Sequence, residues 1–336
     1  MINPYEGVNW GTFQHIQSTS HMHHDRSFVS MAEDGFRHLP ISNYYPSKPY
    51  DMTKLNTSDF HRLPEGCIIS PNAEHHNSIV GNRRNGDFHF NSLGSTWESG
   101  RPKEEGYEGQ YGVNDKWENA FDSILANLIY KDGGGITINH PNWYSYVENK
   151  LTLAQIQNFL DYDKRVLGIE ILNAPVTDTE MGWALDVWDA LLKTGRRVWG
   201  FCVTDHPKEE ERPYQGRNVL LVNEFTEEEC LKAYREGRFY GKTFNTELRF
   251  EEIKFENNVL TVRTNNATAI TVVVDGKTET FKGTEVTYTV PIDAVYVRAE
   301  ARTDTEYDYI FTNPFMLDPS VEPTTKRRTI NKMMWF

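Results

Sequence analysis

A histidine-rich segment near the start of the chain contains the first residues that could do chemistry. His21 and His23 are separated by one residue and follow the strand-like run 13–19. Side chains alternate between the two faces of an extended segment, so both imidazoles point the same way. Two such imidazoles can share one metal ion, at about 2.0–2.1 Å if the ion is zinc. A polar loop can also contain this pair, so its meaning depends on the rest of the chain.

Further oxygen and nitrogen donors occur downstream, near the ends of predicted strands. They are Glu74, His89, His140, Asp205 and His206. His140 directly follows the predicted strand 136–139, and Asp205 comes one residue after the predicted strand 198–203. An α/β barrel carries its catalytic groups at the carboxyl ends of its strands. We therefore expect these side chains to converge with His21 and His23 in one cleft.

The donor types indicate which ions would bind. A mixed set of histidine and carboxylate ligands suits zinc, manganese or iron. The three cysteines are scattered and odd in number, which favours free buried thiols over a disulfide framework. Six or seven donors serve two ions better than one. Two ions about 3.5–4 Å apart can activate a water and stabilise the charge of a displaced oxygen.

Other polar residues are candidates for contacts with a substrate. Glu170 lies inside the apolar run 167–172, where an unpaired carboxylate is costly, so a metal, a lysine or an arginine should neutralise it. Asn173, at the end of the same run, is a comparable site residue. Three arginines have the chemistry to hold a phosphate group, although solvated surface charge is the alternative for each: Arg83, Arg84 and Arg217.

Composition limits the class of protein. Of 336 residues, 38% are hydrophobic and 13% aromatic, which is typical of a packed globular chain. A net charge of −13 argues against a nucleic-acid or anionic-membrane surface, because such partners need a basic face. The same net charge is compatible with a small-molecule substrate, phosphorylated or not. No apolar run approaches the ~18–20 residues of a membrane span, so we expect a cytoplasmic protein unless a secretion signal has been removed.

The order of predicted elements suggests two regions. Up to about residue 245, strands alternate with amphipathic helices, which indicates βα units and a mostly parallel sheet or barrel. Beyond it, short strands and turns follow without a helix. We predict a metallohydrolase-like α/β region at 1–245, a small sandwich-like β domain at 246–318, and a tail at 319–336.

The ordered motifs resemble a known family. His21-x-His23, Glu74, His89, His140-Pro141 and Asp205-His206 are similar, in this order, to the metal-binding motifs of the PHP (polymerase and histidinol phosphatase) superfamily. The resemblance covers roughly residues 10–245. It implies a distorted (β/α)7 barrel with two or three divalent ions, held by these seven residues. Segments 233–240, 296–300 and 312–315 resemble the carbaryl-hydrolase (CehA/McbA-like) branch, whose members carry a β-rich C-terminal domain.

Two positions depart from the family pattern. Ser42-Asn43-Tyr44 stands where the family commonly has Thr-Asp-His, so we assign Asn43 and Tyr44 to substrate contact. The last motif is an adjacent Asp205-His206 pair, where the family more often has Asp-x-His. Adjacent residues of a strand diverge, so these two share a site only if the backbone has already turned.

The resemblance implies a metal-dependent phosphoesterase that uses a metal-activated hydroxide, with Asp205 or His206 moving the proton of the leaving group. Two alternatives remain at this point. The first is a hydrolase of carboxylic or carbamate esters on the same fold. The second is a metal-poor carbohydrate-binding protein with a decayed site, suggested by Asn43 and Tyr44.

Overall fold

The computed structural model describes residues 1–23, 27–42, 62–77, 88–97, 116–143, 151–174, 182–206, 216–243 and 246–324. Four of the predicted substrate-contacting residues, Asn43, Tyr44, Arg83 and Arg84, lie outside these ranges, as does residue 325 onward of the predicted tail.

Helices and strands alternate in the first part of the described chain, and strands alone form the last part. The helices are Phe28–Glu33 (α1), Trp117–Ala126 (α2), Leu153–Leu160 (α3), Leu185–Leu192 (α4) and Glu227–Glu236 (α5). The strands of the first part are Gln14–Ser18 (β1), Glu74–Asn77 (β2), Phe88–Leu93 (β3), Gly135–Ile138 (β4), Val166–Asn173 (β5), Trp199–Val203 (β6), Arg217–Val222 (β7) and Phe239–Lys242 (β8). Those of the last part are Phe250–Glu256 (β9), Val259–Thr264 (β10), Ala269–Val274 (β11), Lys277–Lys282 (β12), Glu285–Thr289 (β13), Tyr296–Arg302 (β14), Tyr309–Thr312 (β15) and Phe315–Met316 (β16).

Local signals mark the start of α3 and the end of α5. Thr152 precedes α3, and its hydroxyl accepts a hydrogen bond from the Gln155 N–H while the Gln155 side chain accepts one from the Thr152 N–H. This capping box satisfies two backbone donors that the first turn leaves unpaired. Helix α5 ends at Gly237, whose φ of 75° is left-handed and suits glycine. No helix of the described residues is both long and apolar enough to cross a membrane.

A five-stranded sheet in the order β2-β3-β4-β5-β6 forms the centre of the first part. Strands β2, β3 and β4 pair antiparallel, whereas β4, β5 and β6 pair parallel. All eight residues of β5 are buried, as expected for a central parallel strand with both faces covered. The mixed α/β class agrees with the sequence prediction. The (β/α)7 barrel is not confirmed, because the parallel ladders of the described strands are limited to β4-β5-β6.

Two predicted strands are shorter in the structure than in the sequence analysis. The segments 36–42 and 67–70 form only isolated parallel bridges, in which His38 pairs with Ser18 and with Ile68. Pro40 lacks the N–H that a longer ladder would need. Glu74 begins β2, whereas the sequence analysis placed it after the end of a strand.

A second sheet crosses the predicted domain boundary at residue 245. Its order is β1-β7-β8-β15-β14-β11-β12, with β16 beside β14. Strand β8 pairs antiparallel with β15, where Gly241 is opposite Phe311. A three-stranded sheet, β13-β10-β9, shares one hydrophobic core with it, in which Ile253 and Leu260 of the small sheet lie with Val297 of the large one. Backbone hydrogen bonds therefore connect the two predicted regions directly.

A buried ion pair also joins the two parts of the chain. Arg298 of β14 is 1% exposed, and its Nε and Nη2 atoms each lie 2.8 Å from a carboxylate oxygen of Asp189 on α4. The guanidinium lies 4.8 Å from the centre of the Trp188 ring and 2.8 Å from Glu300. The Tyr296 hydroxyl donates to the same Asp189 carboxylate, at 2.8 Å. A two-pronged pair of this kind fixes orientation as well as distance.

A group of polar side chains around His38 connects β1 to α5. The His38 ring nitrogens lie 2.8 Å from the Ser18 hydroxyl and 2.8 Å from the Ser70 hydroxyl, and Tyr234 donates to Ser18 at 2.7 Å. His38 is fully buried, and this burial lowers its pKa from 6.5 to about 3. The ring is therefore neutral in the folded protein at neutral pH.

We predict that Arg298→Met lowers the free energy of unfolding by about 3 kcal/mol, because it leaves the Asp189 carboxylate without its cation. Urea denaturation at pH 7 measures the change. Arg263→Met is the matched control, since the Arg263–Glu252 pair is largely exposed and such pairs contribute about 0–1 kcal/mol. Equal losses for the two variants would contradict a special role for the Arg298–Asp189 pair.

We also predict that His38 makes the protein sensitive to acid. Its pKa in the folded state, about 3, is below the unfolded value of 6.5, so below pH 6.5 only the unfolded chain takes up the proton. Stability then falls as the pH falls, by up to about 1.4 kcal/mol per pH unit for this residue. Urea denaturation at pH 7 and pH 5 should show a smaller loss in His38→Gln than in the wild type. The same loss in both proteins would contradict the prediction.

Candidate metal centre

The backbone brings His21, His23 and Asp205 together. The two histidines follow β1, and Asp205 follows β6. The His23 N–H donates to the Asp205 carbonyl at 2.7 Å, and the Asp205 N–H donates to the His21 carbonyl at 3.0 Å. Residues from two different sheets are thus locked in register at the point where their side chains turn inward.

The side chains of these three residues form a nearly equilateral triangle of donor atoms. His21 Nε2 lies 3.2 Å from His23 Nε2 and 3.1 Å from Asp205 Oδ1, and His23 Nε2 lies 3.2 Å from the same oxygen. Ligands about 2.0–2.1 Å from a tetrahedral zinc ion are separated by about 3.3 Å, so these edges match one coordination face. Asp205 Oδ1 is buried and has no hydrogen-bond partner among the described residues. The residues therefore fit a divalent cation.

Glu74 connects this triangle to two more groups of donors. Its Oε1 atom lies 3.4 Å from both His21 Nε2 and His140 Nε2, and 3.2 Å from His89 Nδ1. Its Oε2 atom lies 3.2 Å from His76 Nε2. His21, Glu74 and His140 form one cluster able to hold a metal ion, and Glu74, His76 and His89 form another. Glu74 therefore belongs to both clusters.

His76 is a donor that the sequence analysis left out, together with its neighbour His75. Both are buried. In β2 the side chains alternate, so His76 shares the face of Glu74 and stacks on His89 of β3 at 3.7 Å. His75 points the other way and packs between Phe90 and Trp97. The Glu74-x-His76 spacing would have identified the ligand if β2 had been recognised as starting at Glu74.

Glu170 and Asn173 lie behind the donors. The Glu170 carboxylate accepts from His21 Nδ1 at 2.7 Å and from the His140 backbone N–H at 2.7 Å. The Asn173 side-chain amide donates to Glu170 at 2.9 Å and to Asp205 Oδ2 at 3.0 Å. Three residues apart, they would face opposite sides of a regular strand. A register shift in β5 relative to β6, between Glu170 and Leu172, puts them on the same side.

His206 lies at the edge of the cluster. Adjacent residues such as Asp205 and His206 can share a site only where the backbone has turned. Asp205 has a left-handed φ of 54°, so the chain has already turned there. The His206 ring stacks on that of His23 at 4.3 Å, and its Nε2 atom is 3.7 Å from Asp205 Oδ1. Its side chain is 41% exposed, unlike the buried donors around it.

The centre combines three buried carboxylates with neutral or weakly basic partners. Glu74, Glu170 and Asp205 are 1%, 1% and 3% exposed. Within the described part of the chain, their hydrogen-bond and ion-pair partners are histidines, asparagine amides and the His140 N–H, and none is a lysine or an arginine. Burial opposes the charge of Glu74, but the nearby histidines, His21 first, hold its pKa well below the usual range.

The same pairing acts on the histidines. Burial favours the neutral form of the His21 ring, but Asp205, Glu170 and Glu74 together raise its pKa well above 6.5. The pKa of Asp205 is held well below its usual range, because His21 and His23 outweigh the effect of burial. The Nε2 atoms of His21 and His23 face each other at 3.2 Å.

The structure gives Arg217 a different environment from the one predicted for a phosphate-holding side chain. Arg217 is fully buried, donates to Gln17 Oε1 at 2.5 Å and to the Asp34 carbonyl at 2.8 Å, and stacks on the ring of Phe36 at 4.5 Å. These contacts hold β7 against the segment after α1 and against β1. A substrate contact by Arg217 stays a prediction, as it does for Arg83 and Arg84, which lie outside the described residues.

No protein-family model matches the chain, and no curated protein matches it. Among solved structures, it is similar to a two-domain protein containing a predicted PHP-like metal-dependent phosphoesterase from Bacteroides vulgatus ATCC 8482, with 14% sequence identity, a TM-score of 0.47 and 95% of each chain covered.

We predict that His76→Ala weakens metal binding at neutral pH. Residues that only orient a ligand already contribute about 10–100-fold to metal affinity, so removing a ligand should cost at least that much. His75→Phe is the matched control, because a phenyl ring keeps the stack between Phe90 and Trp97. Elemental analysis and chelator competition on the two full-length variants measure the difference. Retention of all wild-type metal by His76→Ala would contradict its assignment as a ligand.

Proposed function

We propose that this chain is a metal-dependent hydrolase of ester substrates, and specifically a phosphoesterase. The observation that carries the proposal is the set of three buried carboxylates whose described partners include no lysine or arginine. An isolated buried carboxylate costs several kcal/mol, and histidines alone would have to be protonated to offset it. Two facing imidazolium rings would repel each other. Divalent cations offset the charge without that conflict.

The arrangement of the donor residues suits two or more metal ions better than a single ion. The donors form three overlapping clusters, and Glu74 and His21 are each shared by two of them. A single small cation takes four to six ligands at about 2.0–2.2 Å and cannot reach donors on both sides of Glu74. We therefore assign two or three ions, of zinc, manganese or iron, as the resemblance to the PHP superfamily implies. The ligands are His21, His23, Glu74, His76, His89, His140 and Asp205.

When bound, such ions would lower the pKa of a coordinated water and neutralise charge on the reacting group. The chain's own residues supply the remaining steps. The buried imidazoles and the Glu74 carboxylate would exclude bulk water from the side of the site that holds the metal ligands. His206, at the exposed edge, can hold a proton at Nε2 for the departing oxygen, and Asp205 Oδ1 lies 3.7 Å from that atom. We assign catalytic roles to Asp205 and His206 on this basis.

The substrate class follows from charge and from the resemblance. Phosphate esters are anionic, and a site with two or more divalent ions attracts them although the protein carries a net charge of −13. Arg83 and Arg84 remain predicted contacts for the phosphoryl oxygens, and Asn43 and Tyr44 remain predicted contacts for the rest of the substrate. Carboxylic and carbamate esters are the competing class, because a metal centre polarises a carbonyl equally well.

A panel of chromogenic substrates tests the proposal. We predict that the protein loaded with manganese, zinc or iron hydrolyses phosphate mono- or diesters faster than aryl carbamates and carboxylic esters, and that a chelator abolishes the activity. His21→Ala should lose more than the ~10–100-fold that the loss of an orienting residue costs. His15→Ala is the matched control, since His15 lies on β1 and contacts Tyr240 outside the centre.

Three results would count against the proposal. A protein that holds less than about one ion per chain and hydrolyses no ester would favour the carbohydrate-binding alternative. Faster turnover of carbamates than of phosphates would contradict the proposed substrate class but would still support a metal centre. Equal activities of His21→Ala and His15→Ala would place the reaction elsewhere in the molecule.

A further inference from the structure

We propose that Glu170 is a positioning residue that sets the tautomer of His21 and the orientation of His140, so that both rings present a lone pair to the metal. The inference rests on the proposed metal centre and assigns to Glu170 a role different from the substrate contact that the sequence suggested. Glu170 is 1% exposed, and neither of its oxygens is free to meet a substrate.

Each Glu170 oxygen has its own partners. Oε1 lies 2.7 Å from His21 Nδ1. Oε2 accepts from the His140 backbone N–H at 2.7 Å and from the Asn173 amide at 2.9 Å. One carboxylate on β5 therefore connects the segment after β1 with the segment after β4, and both segments supply a donor to the cluster of His21, Glu74 and His140.

The contact with His21 fixes where its proton resides. A carboxylate accepts hydrogen bonds but donates none, so Nδ1 must carry the hydrogen that faces Oε1. In the neutral ring the other nitrogen then holds the lone pair. That nitrogen, Nε2, is the atom 3.1 Å from Asp205 Oδ1 and 3.4 Å from Glu74 Oε1. The carboxylate thus selects the tautomer that the metal needs and increases the basicity of its ligand atom.

The contact with His140 acts on the backbone. His140 has a left-handed φ of 21°, a conformation that is unfavourable for a residue with a Cβ atom. The hydrogen bond from its N–H to Oε2 holds the backbone in this conformation, in which His140 Nε2 lies 3.4 Å from Glu74 Oε1. Asn173 completes the arrangement, because its amide donates both to Oε2 and to Asp205 Oδ2 and so keeps the two carboxylates apart.

Glu170→Gln separates this role from a general effect of burial. The glutamine has the same shape, but only one of its two terminal atoms can accept. Two donors, the His140 N–H and the Asn173 amide, face the Oε2 position, so the amide oxygen should occupy it. The glutamine NH₂ then faces His21 Nδ1 and donates to it. This moves the ring hydrogen to Nε2 and blocks the ligand atom.

Zinc affinity of the full-length protein, measured by chelator competition at pH 7, is the main test. We expect Glu170→Gln to bind zinc about 10–100-fold more weakly than the wild type, while the metal-free protein melts at the same or a higher temperature. Asp163→Asn is the matched control, since Asp163 is also a fully buried carboxylate and pairs with Arg165. This control should melt lower and bind zinc normally. Unchanged zinc affinity in Glu170→Gln, or an affinity loss with a parallel loss of stability like that of Asp163→Asn, would overturn the inference.

A spectroscopic measurement on the wild type keeps the inference testable if the variant fails to fold. In the zinc-loaded, ¹⁵N-labelled protein, the His21 ring should show a hydrogen on Nδ1 and zinc on Nε2. The opposite assignment would overturn the role of Glu170 but would leave the metal centre intact. A wild-type protein that binds no zinc, manganese or iron would instead overturn the proposed function itself.

Discussion

The site depends on three carboxylates that are buried together. In the described part of the chain, none of their hydrogen-bond or ion-pair partners is a lysine or an arginine. Glu74, Glu170 and Asp205 come from β2, β5 and the segment after β6, and their charges would repel each other in a dry interior. Every close neighbour of the three is arranged to offset that repulsion. Imidazole nitrogens separate them, and the amides of Asn139 and Asn173 donate to them. Changing one member alters the charge balance of the others, so the group behaves as one network.

The same constraint accounts for local backbone strain. His140 and Asp205 both have left-handed φ angles, which for residues other than glycine cost on the order of 1–3 kcal/mol. Backbone hydrogen bonds hold Asp205 against the His21–His23 segment, and Glu170 holds His140. Strained positions of this type persist only where the surroundings fix them. Both occur where a donor must turn from the end of a strand into the cluster.

The centre also lies where the two large sheets meet. His21 and His23 extend from β1 of the sheet that continues into the C-terminal strands, whereas the other donors extend from the five-stranded sheet. The Arg298–Asp189 pair links the same halves of the molecule away from the centre. The sheet that carries His21 and His23 at one end therefore also contains strands of the C-terminal region.

The sequence by itself determined the types and order of most donors, because His21-x-His23, His140 after a strand and Asp205 after a strand are local patterns. It also determined the start of α3, where Thr152 caps its own turn. The tertiary structure decided the rest. The pairing of β2 with β3 brought His76 beside His89, the register shift in β5 put Glu170 and Asn173 on one side, and packing against Phe36 committed Arg217 to the interior. Strand register and partner choice depend on contacts between residues far apart in the chain, and no local period encodes them.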